Sequence, residues 1–215
     1  MNIQDIKSEF ELIGNNLTRS HIPQIIKKFY PNPILAELGV FQGNGIEFLL
    51  TCNPNKIIGI DLWKGDGKIA TTDGLPDHIM QEYYELVCNK FKNDSRVEII
   101  RDRTSTSAKN YPNNYFDFVF IDGDHTYNGT FEDIINWYPK VKHGGIISGH
   151  DYFQHTSSYK FGVIEAVNDF VFQNTEIDKI YVSNEKIAPC WFIVKIDIQN
   201  RYFILYINSD VYCRN

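Results

Sequence analysis

Four side chains in the middle of the chain carry its densest chemistry. Asp122 and His125 lie in FDFVFIDGDHTY, and the adjacent pair His150 and Asp151 lies in GGIISGHDYF. Carboxylates and an imidazole around open coordination positions can hold a divalent cation together with substrate oxygens. Asp122, His150 and Asp151 form the candidate metal set. An imidazole at His125 could take a hydroxyl proton near neutral pH, and a neighbouring cation would lower that hydroxyl's pKa. The competing reading of Asp124, His125 and Thr126 is a polar helix entry.

A second constellation lies upstream. In the stretch Glu37-Leu38-Gly39-Val40-Phe41-Gln42-Gly43-Asn44-Gly45 an acid precedes glycines that let backbone approach a ligand without Cβ interference. Asp61 closes KIIGID, and its carboxylate can accept from both hydroxyls of a ribose.

The surrounding elements explain how such distant residues meet. ILAEL (34–38), KIIGID (56–61), VEIIR (97–101), FDFVFID (116–122) and GGIISG (144–149) read as buried strands separated by amphipathic stretches. One such stretch is predicted to bury Phe131, Ile134, Ile135, Tyr138 and Val141, and another Phe161, Ile164, Val167 and Val171. Strands alternating with helices predict an α/β fold, a doubly wound, mostly parallel sheet with helices on both faces. DKIYVS and CWFIVKI predict a C-terminal antiparallel hairpin. The predicted organisation is an N-terminal helical cover (1–33), one α/β domain (34–197) and a C-terminal extension of it (198–215). Ligands of open α/β sheets sit at the carboxyl ends of the strands, where the chemical residues fall.

Glu37-x-Gly39-x-x-x-Gly43 with Asp61 resembles the nucleoside-binding pair of class I S-adenosylmethionine-dependent methyltransferases, over about Ile34 to Lys195. The resemblance implies a glycine turn against the methionine part of the cofactor (Glu37, Gly39, Gly43), Asp61 on the ribose, and Asp102 with Arg103 at the adenine. Asp122, His150 and Asp151 resemble the metal site of small-molecule O-methyltransferases, including catechol and macrolide-sugar types, and His125 matches the base of the latter. His150 departs from their usual carboxylate. Either the metal is softer than magnesium, such as manganese, iron or zinc, or His150 is not a ligand. The implied reaction is methyl transfer from S-adenosylmethionine to a hydroxylated small molecule, a sugar or an aromatic. A nicotinamide-dependent oxidoreductase would share the sheet and Asp61, but the glycine spacing is not GxGxxG. A non-catalytic binding protein on the same fold is the other alternative.

Composition bounds the partners. The 215 residues carry 21 Lys+Arg against 27 Asp+Glu, a net charge of −6, without the basic stripe of a nucleic-acid binder. No apolar run is long enough to span a bilayer, and the first residues lack a signal-peptide apolar core. Four cysteines far apart fit reduced thiols in the cytoplasm. Homo-oligomerisation is left open. The loop LWKGDGKIATTDGLPDH beside Asp61, with Trp63 and Asp66, reads as a lid or as plain surface, and Trp63 equally as a core anchor.

Overall fold

The computed structural model describes residues 2–65, 75–153 and 161–196. Asp66 and the expected C-terminal extension, 198–215, lie outside the described residues.

The chain begins with α1 (Ile3–Ile13) and α2 (Ile22–Phe29). The side chain of Asn2 caps α1 by accepting from the Gln4 amide, and α2 stops before Pro31. Ile6, Phe10, Leu17, Ile22, Ile25 and Ile26 are all buried in one cluster with Leu35, Ile57 and Phe118 of the sheet. Each such side chain stabilises by about 1.5–3 kcal/mol. The cover is therefore part of the domain's core.

The sheet holds β1 (Ile34–Leu38), β2 (Lys56–Asp61), β3 (Val97–Arg101), β4 (Phe116–Ile121), β5 (Val141–Gly149), β6 (Tyr181–Val182) and β7 (Trp191–Val194). Their spatial order is β3-β2-β1-β4-β5-β7-β6. The first five pair in parallel, while β7 runs antiparallel to both β5 and β6. The predicted hairpin is present, with its later strand inserted next to β5. Between the strands run α3 (Asn44–Leu50), α4 (Asp77–Phe91), α5 (Thr104–Ser107), α6 (Tyr127–Trp137) and α7 (Val163–Gln173). Two buried clusters, one on each face, make the sheet doubly wound. No helix among the described residues is long and apolar enough to cross a membrane.

The inward face of α6 differs from the expected one. Thr130, Asp133, Ile134 and Trp137 are buried, whereas Ile135 is 45% exposed and Val141 already belongs to β5. In α7 the buried set is Val163, Ala166, Val167 and Phe170. Both stripes follow i, i+3, i+4, i+7. The expectation had taken the most apolar residues, and in α6 the buried positions include two polar ones.

Candidate active site

Asp61 ends β2 and braces the turn after β1. Its Oδ2 accepts from the amides of Val40 and Phe41, both at 2.9 Å, and its Oδ1 from the amide of Trp63 at 2.7 Å. A carboxylate offers about four acceptor positions, so one on Oδ1 is left for a ligand hydroxyl. Trp63 is fully buried, donates Nε1–H to the Phe41 carbonyl at 2.8 Å and packs on Tyr84. It is a core anchor.

Gly39 (φ +86°) is where β1 passes the end of β4. A Cβ there would lie 2.2 Å from the Asp122 carbonyl oxygen, so only glycine lets the two strand ends close. Gly43 also has positive φ, and the space of its missing side chain is taken by Phe91 and Val87 of α4. Glu37 sits beneath the start of α3, where it accepts from the Ile46 amide and leaves Oε2 buried without a partner among the described residues. Burial, then the Asp122 and Asp61 charges, push its carboxyl well above the ordinary range, against an opposing pull from Arg19.

A cavity of about 350 Å³ opens at these strand ends, lined by Gly39, Phe41, Asp61, Arg103, Asp122 and Asp133 among others. Of the residues expected to meet a cofactor, Gly39, Asp61 and Arg103 are in its wall. Glu37, Gly43 and Asp102 are not among its lining residues, Asp102 accepting from the Arg103 amide at 2.7 Å and from Ser107 Oγ at 3.2 Å.

Asp133 was not foreseen. It is 4% exposed, lies in the cavity wall and accepts from Thr104 Oγ1. Burial pushes its carboxyl up to about 7, partly opposed by Thr104 and reinforced by Glu132 and Asp124. An acid on the buried stripe of α6 was the sequence signal available.

Beside the cavity, ligand atoms of Asp122, His125 and Asp151 lie within 4.8 Å of one another. His125 Nδ1 is 3.3 Å from Asp151 Oδ2, and His150 Nδ1 is 3.5 Å from Asp151 Oδ2 and 3.6 Å from Asp122 Oδ1. Both histidines thus lie beside the carboxylates, but the group whose ligand atoms could close on one ion is Asp122, His125 and Asp151, and the expected ligand His150 is not part of it. The helix entry is built by its neighbours: Asp124 accepts from the Thr126 amide, and Thr126 caps α6 by accepting from Gly129. Burial disfavours charge on His150, but Asp122 and Asp151 outweigh it and raise the imidazole to about 9. Burial would raise Asp151, yet His150, His125 and Arg19 hold it below the usual carboxylate value.

A methyltransferase-domain family matches residues 36–152, more than half of the chain. The chain belongs to that family. Its fold is similar to an rRNA methylase from Streptococcus thermophilus, at 11% identity and a TM-score of 0.59, over 82% of this chain and 95% of that one. It is also similar to an O-methyltransferase from Bacillus cereus in complex with SAH, at 11% identity and 0.55, over 90% of each chain. A spermidine synthase from Thermotoga maritima matches at 17% and 0.54, over 85% of this chain and 62% of that one. No curated protein matches. Identities this low show the shared fold and leave the acceptor to the site itself.

Within the methyltransferase domain, residues 36–152 hold the whole cluster and all the lining residues of the cavity. Arg19 comes from outside that stretch. Its guanidinium lies 5.0 Å from the Phe120 ring and 5.4 Å from the Phe48 ring, delivered by the short turn Arg19–His21 that Thr18 caps.

Proposed function

We propose that this methyltransferase-domain protein moves the methyl group of S-adenosylmethionine to a hydroxyl of a small molecule, with a divalent cation beside the acceptor. The double membership of Asp122 carries this reading: it lines the cavity and belongs to the acid and imidazole cluster. A cofactor site and a deprotonation centre then adjoin at one residue.

The residues fit both groups. The cavity is within the range of small-molecule sites, Gly39 narrows the turn without a side chain, and Asp61 Oδ1 keeps an acceptor position for a ribose hydroxyl. The Asp122 and Asp151 carboxylates with an imidazole beside them form a mixed oxygen and nitrogen donor set, which suits manganese, iron or zinc at least as well as magnesium.

S-adenosylmethionine, when bound, supplies an electrophilic methyl on a sulfonium, so no protein nucleophile is needed. A hydroxyl held beside a divalent cation gives up its proton more readily. His125 Nδ1 lies 3.3 Å from Asp151 Oδ2, which leaves Nε2 as the atom to take this proton. Asp61 and the Gly39 turn would hold S-adenosylmethionine as its methyl passes to the acceptor oxygen and its sulfur leaves as a neutral thioether, with the hydroxyl proton on His125. Holding oxygen and methyl in line accounts for much of the acceleration.

A small acceptor fits better than RNA. The net charge is −6, and Asp124 and Glu132 line the cavity, an arrangement that repels a phosphate backbone. Among the described residues Cys52, Cys88 and Cys190 form no disulfide, in keeping with a cytoplasmic setting.

Calorimetry tests this reading. S-adenosylmethionine and S-adenosylhomocysteine should bind, and Asp61→Ala should weaken both about 10–100-fold, the size of hydrogen bonds to a charged group. Manganese should bind at one site and be lost in Asp151→Ala with S-adenosylhomocysteine affinity retained, whereas Asp122→Ala should affect both ligands. Tight NAD binding with no response to S-adenosylmethionine overturns the proposal.

A further inference from the structure

Arg19 is a cation beside the acid and imidazole cluster that pairs with no carboxylate among the described residues. Among the described residues its guanidinium makes no ion pair and no hydrogen bond; the contacts of this side chain are the faces of Phe48 and Phe120. Its backbone is fixed, since the Arg19 amide donates to Glu185 Oε1 at 2.5 Å. Phe120 also stands 6.5 Å from the His150 ring, so the guanidinium shares a ring with the cluster. Its charge reaches inward far enough to lower both Asp151 and Glu37, although neither carboxylate is within ion-pair distance of it.

Arg19 is half-buried, with aromatic faces against its guanidinium and no protein acceptor on it among the described residues, which leaves its N–H groups open to an anion. A planar guanidinium stacked on rings presents its N–H fork edge-on, which matches a carboxylate in two parallel bonds. The cations of the cavity wall, Lys64 and Arg103, follow β2 and β3, on the opposite side of β1 from β4 and the cluster. Among the described residues Arg19 is therefore the cation available to an anionic group lying beside Asp122 and Asp151.

We propose that Arg19 is a carboxylate-binding residue of this site. The carboxylate belongs either to the amino-acid tail of the cofactor or to an acidic acceptor whose hydroxyl lies at the cluster. This inference rests on the S-adenosylmethionine reading and goes beyond it by naming the charged group that the N-terminal cover recognises. It also gives the cover a function: residues 1–33 bring a cation that the matched family stretch does not contain.

The test compares wild type, Arg19→Ala and Arg19→Lys by calorimetry, with thermal melts to establish folding. S-adenosylhomocysteine carries the carboxylate, and 5′-methylthioadenosine lacks the amino-acid tail. If the cofactor supplies the anion, Arg19→Ala weakens S-adenosylhomocysteine about tenfold or more and leaves methylthioadenosine within about twofold, and Lys restores only part of the loss. If the acceptor supplies it, S-adenosylhomocysteine is unaffected. Protein saturated with S-adenosylhomocysteine and manganese then binds 3,4-dihydroxybenzoate about tenfold or more tightly than catechol, a preference that Arg19→Ala erases. Equal weakening of S-adenosylhomocysteine and methylthioadenosine marks a structural role and overturns the proposal. So does an unchanged S-adenosylhomocysteine affinity with no wild-type preference for the dihydroxybenzoate. Wild-type protein that binds neither nucleoside removes the methyl-transfer reading itself, an outcome distinct from either failure of Arg19.

Discussion

His125 Nδ1 stands 3.3 Å from Asp151 Oδ2, so the imidazole that follows β4 is oriented by the carboxylate that follows β5. A hydrogen bond formed between them would hold the ring and its tautomer for service as a base. Asp151 adopts a left-handed backbone (φ +58°), which a non-glycine residue seldom takes without a reason.

His125→Ala is expected to lower kcat by about 100-fold or more while S-adenosylmethionine affinity changes little, since His125 is outside the cavity wall. Steady-state kinetics at saturating manganese, paired with calorimetry, separate this from loss of the metal. A near-normal kcat under those conditions would return His125 to a structural role.

Gly39→Ala is expected to destabilise the fold by about 2 kcal/mol or more, because the new methyl would stand against the Asp122 carbonyl and the positive φ disfavours any side chain. Chemical denaturation measures the loss. Any relief of the clash moves Asp122, so cofactor and manganese affinities should fall together, unlike the separate losses expected for Asp61→Ala and Asp151→Ala.

Asp133 gives the stability of the protein a pH signature. Burial lifts its carboxyl from 3.8 to about 7, so the folded state holds its proton more tightly than the unfolded chain does. The resulting stabilisation is complete below about pH 4 and is lost as pH rises toward 7. Asp133→Asn should flatten the profile across that window by on the order of a few kcal/mol. Denaturant midpoints measured from pH 4 to 8 provide the check, and identical profiles for the two proteins would rule the assignment out.

Much of this architecture is legible in the residue order. The strands from 34 to 149 fall close to where their apolar runs lie, with β5 beginning three residues early, at Val141. Asp61, Asp122, His150 and Asp151 fall at strand ends because chain direction in parallel βαβ units is fixed by right-handed crossovers, which bring those ends to one edge. Such features depend on near neighbours in sequence, and side-chain periods of 2 and 3.6 record them.

Tertiary packing decided the rest. Gly43 serves the packing of α4, and it is Gly45 that makes room for the Glu37 carboxylate, because a contact between residues eight apart across a turn has no sequence period. Asp133 enters the cavity wall through the tilt of α6, which selected a buried stripe containing two polar residues over the more apolar one. His125 turned away from the helix entry toward a carboxylate 26 positions later, and Arg19 reached Phe120 across a hundred residues. Separations of that size are bridged only when the core closes, so the electrostatics of the site belong to the folded molecule.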